Sequence, residues 1–502
     1  MKKPLVNNIK YSNPTVWLTP ILILGALLRF YNNTAVALWH DEAFSALYIR
    51  YPFKEMMYRI TLDVHPPLYY WVLRLWGYIF GSGLLSLRSL SILFGVLTVY
   101  AGYLFVKEAF KNEKLAILAA LFLAINPFQI QYSLEARMYT LGTFLILLSS
   151  YLLVRALNSN KTSVWIAYAV CVSACFYTHY YLFFSVAAQG LYFLYYLWQQ
   201  KRFTFNFNRD SLTAKGLGSY LLSLLIFAPW IPTLLVQIKR VEKAFWIPAP
   251  DRWSIPGTIW KMAFGGQGND HITLIITTLV AVAVIIYFFR ETKPPVRWLI
   301  VLSVAVPFIA SLLLSFKQAI YQDRYFVFAS LFFTILIAAT LFLVPKYTTR
   351  RTLTLLFAVF SLIIFFKNWR DLGPIKDKPG MAAASAVVNE NAKPTDKIYV
   401  GSSFIYFTFK YYNHTPIHPL LYSTLHLKDL PHFSGTALLN EDDLILDFGQ
   451  AKKGDLVWLL WTTGFGGSKP NVPGTWQKID EKIFGDTPGF KGDIYVTEYT
   501  VN

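Results

Sequence analysis

Long apolar runs separated by short polar loops recur along the first three quarters of the chain. A helix needs about 20 mostly apolar residues to cross a bilayer, and several of these runs approach that length. The pattern therefore predicts a polytopic α-helical membrane protein. The predicted helical segments are 14–31, 66–81, 84–107, 114–126, 138–157, 163–178, 180–198, 216–236, 271–289, 297–316, 325–344 and 352–366.

The charges in the loops predict the orientation of these segments. Short basic loops at 107–114, 199–215, 290–297 and 345–352 should be cytoplasmic, together with Lys2, Lys3 and Lys10. The N-terminus and loop 107–114 lie on the same side only if one early segment does not cross. Segment 66–81 is short, contains Arg74 and is rich in Tyr and Trp, so we predict that it is an interfacial helix. Eleven crossings follow, with 12 or 13 as alternatives, a cytoplasmic N-terminus and an extracytoplasmic tail.

The tail differs in character from the rest of the chain. It is polar and punctuated by Gly and Pro, with strand-like runs at 397–403 and 455–463 and a helical pattern at 379–392. We expect a transmembrane domain over 1–366, with a first outer loop at 32–83. A small extracytoplasmic α/β domain should follow at 367–502.

Composition excludes most other classes. Of 502 residues, 55 % are hydrophobic and only 15 % charged, which rules out a soluble enzyme and a disordered chain. The net charge of +18 resides in the membrane part, because residues 367–502 hold 14 basic and 15 acidic residues. Basic loops between apolar runs are a topology signal, so no nucleic-acid partner is expected. Cys171 and Cys175 lie four residues apart in an apolar run and indicate packed thiols.

The acidic residues assigned to the outer side avoid the middle of the helices. An ion-coupled transporter usually needs ionisable groups near the midplane, so the pattern favours a site at the outer membrane surface. These residues are Asp41, Glu42, Glu55, Asp63, Glu135, Glu242, Asp251, Asp270 and Asp323.

Four polar elements on that side carry candidate chemistry. Each also has an ordinary interpretation, as a helix cap or first-turn acid, a solvent-facing histidine, or interfacial anchors. Asp41 has the alternative role of a general base. The elements are Asp41-Glu42, His65-Pro66-Pro67-Leu68, Glu135-Ala136-Arg137-Met138-Tyr139 and Lys317 with Asp323-Arg324-Tyr325.

Taken together, these elements resemble the dolichyl-phosphate-mannose protein mannosyltransferase-like enzymes of glycosyltransferase family 39. That family includes lipid A aminoarabinose transferase-like members and has the C-type integral-membrane glycosyltransferase fold. The resemblance covers about residues 14–345. It implies a plasma-membrane glycosyltransferase that passes a hexosyl or pentosyl group from a polyprenyl-phosphate donor to an acceptor hydroxyl on the extracytoplasmic face. Inversion at the anomeric carbon is expected.

The resemblance also implies roles for individual residues. Asp41 aligns with the catalytic base and Glu42 with its supporting partner, while Arg137 and Arg324 are candidates for lipid-phosphate contacts. The remaining substrate-binding candidates are His65, Tyr69, Glu135, Tyr139, Lys317 and Tyr325.

A cofactor is not assigned from the sequence. Some relatives bind a divalent metal, to which His65, Glu42 or His179 could contribute, but no ligand set has a diagnostic spacing. The acceptor stays open between protein, lipid and glycan. Two other functions remain alternatives: a flippase or exporter of polyprenyl-linked glycans, and an O-antigen ligase or polymerase that uses a diphosphate-linked donor.

Overall fold

A computed structural model of the chain describes residues 14–200, 211–244, 246–266, 268, 270–293, 295–371, 380–486 and 492–502. Lys2, Lys3, Lys10 and residues 201–210, which contribute to the predicted topology, lie outside the described residues.

The membrane part is helical, and each of the 12 predicted apolar segments coincides with one or more helices. Its helices are α1 (Leu18–Phe30), α2 (His40–Tyr48), α3 (Phe53–Leu62), α4 (Leu68–Phe80), α5 (Leu84–Phe110), α6 (Glu113–Ile125), α7 (Pro127–Ser133), α8 (Tyr139–Ser159), α9 (Thr162–Phe176), α10 (Leu182–Gln199), α11 (Leu212–Phe227), α12 (Ile231–Lys243), α13 (Ser254–Phe264), α14 (His271–Glu291), α15 (Val296–Ser315), α16 (Val327–Leu343) and α17 (Tyr347–Asp371).

The chain is a multi-pass membrane protein. Within the described ranges, seven helical stretches are long and apolar enough to cross a bilayer, or eight if α6 and α7 form one span. The helices α1 and α9 are apolar but shorter. The predicted number of eleven crossings is therefore not confirmed. The seven stretches are Leu84–Phe110, Tyr139–Ser159, Leu212–Lys243, His271–Glu291, Val296–Ser315, Asp323–Leu343 and Tyr347–Asn368.

The break between α6 and α7 has a local cause. Asn126 caps α7 by accepting a hydrogen bond from the Gln129 N–H at 3.0 Å, and Pro127 occupies the first helical position. The two helices meet at an angle of 56°. The Asn126 amide also donates to the Met262 carbonyl and to Thr334, which ties the break to α13 and α16. The following loop, which carries Glu135 and Arg137, is thereby held in place.

A buried arginine joins α1 to the same region. Arg29 donates hydrogen bonds to Ser133 Oγ, the Gly25 carbonyl and the Ala124 carbonyl, so its guanidinium is held by neutral oxygen acceptors inside the protein. Gly95 on α5 leaves room for this cluster, because an added Cβ would lie 2.5 Å from Ser133 Oγ. A side chain at position 95 would therefore displace Arg29 or Ser133.

The described residues of the tail form a six-stranded sheet with two helices, which agrees with the predicted small α/β domain. The strand order is β3-β2-β1-β4-β6-β5; the first four strands in that order run parallel, and β6 runs antiparallel to both of its neighbours, β4 and β5. The elements are α18 (Gly380–Asn391), β1 (Lys397–Val400), α19 (Ser403–Tyr412), β2 (Leu420–Tyr422), β3 (Leu444–Ile445), β4 (Leu456–Thr462), β5 (Trp476–Gly485) and β6 (Asp493–Val501).

Strand β4 is buried on both faces, as its unbroken apolar sequence requires. Val457 and Leu459 face one core cluster, which also contains Phe448, whereas Trp458 and Leu460 face the large core. That large core continues through α19 into the membrane helices. The tail therefore packs directly on the first loop.

Candidate active site

Helix α2 presents Asp41 in its first turn. The helix begins after Trp39, whose extended backbone ends the preceding loop, and Asp41 and Glu42 occupy the N-terminal turn where a carboxylate is favoured. Glu42 Oε2 accepts a hydrogen bond from the Trp39 N–H at 3.5 Å, as in a capping box. The two acidic residues then point to different partners.

Glu42 is a fully buried structural carboxylate. Arg88 on α5 contacts it bidentately, with Nε–Oε1 at 2.8 Å and Nη2–Oε2 at 2.6 Å. The Ala136 N–H donates to Oε1 at 2.8 Å. Arg88 also donates to carbonyls of the first loop, including that of Val36 at 2.8 Å. Glu42 thus joins the first loop, α5 and the loop after α7, and it has no free oxygen for a reacting group.

Asp41 is paired with Arg324, 283 residues away. Arg324 Nη1 lies 3.2 Å from Asp41 Oδ2, and both side chains keep some exposure, 17 % and 26 %. The guanidinium also lies over the rings of Trp39 and Trp246, at 5.6 and 5.2 Å from their centroids. The Asp41 carboxylate and the Arg324 guanidinium are therefore adjacent and partly accessible. This arrangement suits removal of a proton beside an anionic leaving group.

The surrounding cations keep Asp41 ionised. Burial alone would raise the pKa of its carboxyl, but the charges of Arg137 and Arg324 outweigh burial and hold that pKa below its ordinary value. Asp41 is accordingly a carboxylate at neutral pH and can accept a proton.

Arg137 is hydrogen-bonded to α2, the helix that carries Asp41. Its Nη1 donates to the Asp41 carbonyl at 3.2 Å and to Ser45 Oγ at 3.1 Å, and its Nη2 lies 3.4 Å from His65 Nε2. The side chain is buried. Its contacts are with the backbone and side chains of the first loop, so geometry makes it a positioning residue for Asp41.

His65 links Arg137 to Asp63. Its Nδ1 lies 3.1 Å from Asp63 Oδ2. Because Arg137 can only donate, Nε2 of His65 must accept and Nδ1 must carry the proton that faces Asp63. Burial would raise the pKa of Asp63, but the neighbouring His65 holds it below the ordinary value. Asp63, His65 and Arg137 thus form a chain of contacts that ends at the backbone carbonyl of Asp41.

Glu135 differs from the other carboxylates of the site. Its Oε2 is buried without a hydrogen-bond partner among the described residues. Burial, reinforced by the charges of Glu42 and Asp41, raises the pKa of Glu135 to about 8. Glu135 is therefore protonated at neutral pH, which relieves repulsion with Asp41.

Aromatic side chains line the region between α4, α8 and α16. Tyr139 packs on Tyr132 with ring centroids 4.9 Å apart, and Tyr325 packs on His179 at 5.0 Å. Tyr139 is buried and Tyr325 is partly exposed. Tyr69 is fully buried within the first loop. Of the three predicted substrate-binding tyrosines, Tyr325 is the one with accessible surface.

Lys317 does not share the contacts of this cluster. Its side chain is 85 % exposed, and its ion-pair partner is Glu242, at 3.7 Å. Asp323, next to Arg324, is held by Lys261 at 2.5 Å and by Thr258 at 3.0 Å. That pairing fixes the turn from which Arg324 extends.

The residues considered as metal ligands do not fit a metal centre. Both oxygens of Glu42 contact Arg88, both nitrogens of His65 face protein partners, and His179 Nδ1 accepts the Tyr181 N–H at 3.1 Å. In the described part of the chain, no three His, Cys, Asp or Glu residues lie together as a metal site.

The sequence analysis did not identify three residues that contact the site: Arg88, Trp39 and Trp246. Arg88 lies within an apolar run, and an isolated charge there is a recognisable signal of a buried pair. Trp39 and Trp246, which face Arg324, give no such signal because tryptophan is common at membrane interfaces.

The tail contacts the helix that carries Asp41. His40 packs between Phe404 and Phe407 of α19, with both ring centroids at 5.5 Å, and Phe407 lies 5.4 Å from Phe44. Burial lowers the pKa of His40, so the ring is neutral in this apolar setting. The Leu38 N–H donates a hydrogen bond to the Tyr412 hydroxyl oxygen at 2.9 Å. The tail is thus part of the support of the site.

Comparisons with known proteins give one family match and several fold matches. Residues 64–232 match the family model described as dolichyl-phosphate-mannose-protein mannosyltransferase. The fold is similar to that of ArnT from Cupriavidus metallidurans bound to undecaprenyl phosphate, with a TM-score of 0.58 and 12 % identity over 96 % of this chain and 98 % of that one. The apo state of the same protein gives a TM-score of 0.59, 11 % identity and the same coverage.

A second fold match is more distant. The apo oligosaccharyltransferase of Archaeoglobus fulgidus matches with a TM-score of 0.50 and 13 % identity, over 81 % of this chain and 64 % of that one. No curated protein sequence gives a significant match.

The chain is therefore a membrane protein with the C-type integral-membrane glycosyltransferase fold. Within that class, residues 64–232 match the protein mannosyltransferase family model, which bears out the predicted resemblance over that part of the chain. One of the two fold neighbours is described as an oligosaccharyltransferase.

Proposed function

We propose that the protein transfers a hexosyl or pentosyl group from a polyprenyl-phosphate donor to an acceptor hydroxyl on the extracytoplasmic face of the plasma membrane. The observation that carries this proposal is the pairing of Asp41 Oδ2 with Arg324 Nη1 at 3.2 Å. One residue offers a base for the attacking hydroxyl, and the other offers a cation for the departing phosphate.

In the reaction the two charges act on opposite sides of the reacting carbon, so the Asp41–Arg324 ion pair has to open as the donor's sugar enters between them. Asp41 removes the proton as the acceptor oxygen bonds to the anomeric carbon, and the bond from that carbon to the phosphate oxygen breaks. The leaving group departs as polyprenyl phosphate, a stable anion that requires charge stabilisation rather than protonation. Attack from the face opposite the phosphate inverts the anomeric carbon.

Arg324 has a second role in this scheme. While it is paired with Asp41, it lowers the basicity of that carboxylate. A donor phosphate would compete for the same guanidinium, since Arg binds phosphate bidentately. Donor binding thereby releases Asp41 and raises its pKa towards the ordinary value, so the base becomes stronger when the donor is in place.

The donor's apolar chain needs a lipid-facing approach. Helix α4, predicted to lie at the interface, exposes Tyr78, Ile79 and Phe80 at its end. Arg74 of the same helix donates to the Ile49 carbonyl at 3.0 Å and so joins α4 to the end of α2. This arrangement supports a path along α4 for the prenyl chain.

The test uses the full chain in lipid nanodiscs with a panel of radiolabelled polyprenyl-phosphate sugars and an extract of acceptor membranes. We expect release of polyprenyl phosphate together with label transferred to the acceptor. Movement of the intact donor across the bilayer without release would instead identify a flippase. Release only from diphosphate-linked donors would identify a ligase or polymerase.

A further inference from the structure

A cleft separate from the Asp41–Arg324 site lies at the junction of the first loop and the tail. It has a volume of about 390 Å³, which is within the range typical of small-ligand sites. Its lining includes Leu47, Arg50, Tyr51, Lys410, His418 and Pro419. We name it the Arg50 pocket. None of these residues belongs to the Asp41–Arg324 site.

The basic groups of the pocket are held in place by one buried carboxylate. Asp443, whose side chain is 2 % exposed, contacts Lys410 Nζ at 2.8 Å and His418 Nε2 at 3.1 Å. It also accepts a hydrogen bond from the Tyr406 hydroxyl at 2.8 Å. Burial would raise the pKa of Asp443, but the Lys410 ammonium and the hydrogen bonds, including that from Tyr406, outweigh it and hold that pKa below its ordinary value. Asp443 therefore offsets the charge of Lys410.

Arg50 supplies the uncompensated charge. Its guanidinium lies 4.9 Å from the centre of the Tyr411 ring and makes no hydrogen bond or ion pair within the part of the chain that the structure describes. The turn that carries it is fixed, because Arg74 donates to the carbonyls of both flanking residues, Ile49 and Tyr51. The pocket thus presents a positioned guanidinium with free donors beside a lysine.

The location of the pocket relates it to Asp41. Asp41 lies in the first turn of α2 and Arg50 lies two residues beyond its end at Tyr48, so about the length of that helix, roughly 13 Å, separates them. Leu47 and Pro419 provide apolar walls and Tyr51 an aromatic ring, as a sugar-binding cleft requires. The pocket and the base thus lie at opposite ends of α2, whose residues between them are buried.

We propose that the Arg50 pocket binds a phosphate or carboxylate group carried by the acceptor, at a distance from the hydroxyl that receives the sugar. The identification of the ligand as the acceptor rests on the proposed function, whereas the anion site rests on the pocket alone. An acceptor of this kind is an anionic glycan or glycolipid that is longer than one sugar unit.

Binding is tested without any donor, so that the result does not depend on transfer. The full chain in neutral phosphatidylcholine nanodiscs is titrated calorimetrically with glucose 6-phosphate, glucuronic acid and glucose. We expect one of the two anions, but not glucose, to bind, and the one that binds identifies the phosphate or the carboxylate. The Arg50→Gln variant should weaken that binding about tenfold or more, as expected for loss of a charged hydrogen bond.

Arg155→Gln is the matched control. Arg155 is also exposed and lies over a tyrosine ring, but it belongs to the far end of α8 from Tyr139. Equal affinities for the wild type and Arg50→Gln, or equal binding of glucose, would overturn the proposal. So would loss of anion binding in Arg324→Gln with full binding in Arg50→Gln, because the anion would then occupy the donor site.

Failure of the proposed function is distinguishable from failure of the pocket. If the anion binds through Arg50 but no polyprenyl-phosphate sugar is cleaved, the pocket stands and the transferase assignment fails. If the donor is cleaved while no anion binds, the transferase assignment stands and the pocket fails.

Discussion

Glu42 and Arg88 form a bidentate ion pair whose side chains are only 1 % and 4 % exposed. The pair joins the helix that carries Asp41 to the membrane helix α5. Removing one member of a buried pair leaves an uncompensated charge, at a cost of about 3–5 kcal/mol. The position of the proposed base therefore depends on this pair.

Arg88→Met is expected to destabilise the protein by about that amount, because Glu42 would keep its charge without a partner. Thermal unfolding in detergent, followed by tryptophan fluorescence, measures the effect. The double variant Glu42→Gln/Arg88→Met should recover much of the loss. An Arg88→Met protein as stable as the control Arg155→Gln would show that the pair has no structural role.

Substitutions of Arg324 and Arg137 should change different kinetic parameters. Arg324→Lys keeps a positive charge but loses the fork that binds phosphate bidentately, so the KM for the donor should rise about 10- to 100-fold. Arg137→Lys should mainly lower kcat, since Arg137 holds the Asp41 carbonyl and Ser45. Initial rates over a range of donor concentrations separate the two effects. The reverse pattern would place the phosphate contact at Arg137.

The transfer rate should fall as the pH rises through about 8. The pKa of Glu135 is raised to about 8, so its carboxyl is neutral below that pH and becomes a second anion beside Asp41 above it. Glu135→Gln should remove this limb of the pH profile while retaining activity at pH 7. A limb of the same shape in both proteins would assign the titration to another group.

The Glu135 carboxyl also contributes to the pH dependence of the free energy of unfolding. Its pKa is higher in the folded protein than the ordinary 4.5, so the folded state binds the proton more tightly. This contribution is complete below pH 4.5, declines above it and is lost as the pH passes 8. The difference in unfolding midpoint between the wild type and Glu135→Gln, measured from pH 5 to 9, should change in that direction.

The contact between the tail and α2 should matter for catalysis. Phe407→Ala removes a buried ring that contacts His40 and Phe44, and we expect a loss of about 3–5 kcal/mol in stability together with a lower kcat. Phe448→Ala is the matched control, because Phe448 is buried in the second core cluster of the tail. Phe448→Ala should destabilise the tail with a smaller effect on kcat. Equal kcat values for the two variants at a temperature where both are folded would contradict a positioning role.

The positions of the helices could be predicted from the sequence, because apolar runs of this length have few other stable structures in a membrane protein. The strands at 397–400 and 456–462 followed from their β-branched and aromatic residues. The number of crossings did not follow. Helices such as α1 and α9 are apolar but short, and their crossing depends on packing that local hydropathy does not encode.

The candidate site was predicted in part. Asp41, Arg137 and Arg324 could be identified from motif and charge, and the structure brings them together. The division of roles could not be derived, because Asp41 and Glu42 are adjacent and chemically alike. Only the fold shows that Glu42 faces Arg88 while Asp41 faces Arg324. Lys317 was chosen for its charge near Arg324, but its ion pair is with the exposed Glu242.

The central claim is that Asp41 removes the proton of the acceptor, and single-turnover transfer by Asp41→Asn tests it most directly. The variant keeps the shape of the side chain but lacks a basic oxygen. Glu55→Gln serves as the control, since Glu55 is a half-buried acid of the same loop whose ion-pair partner is Arg59. We expect Asp41→Asn to bind the radiolabelled donor and to lose transfer by at least about 100-fold. Full transfer by a correctly folded Asp41→Asn protein would contradict the account.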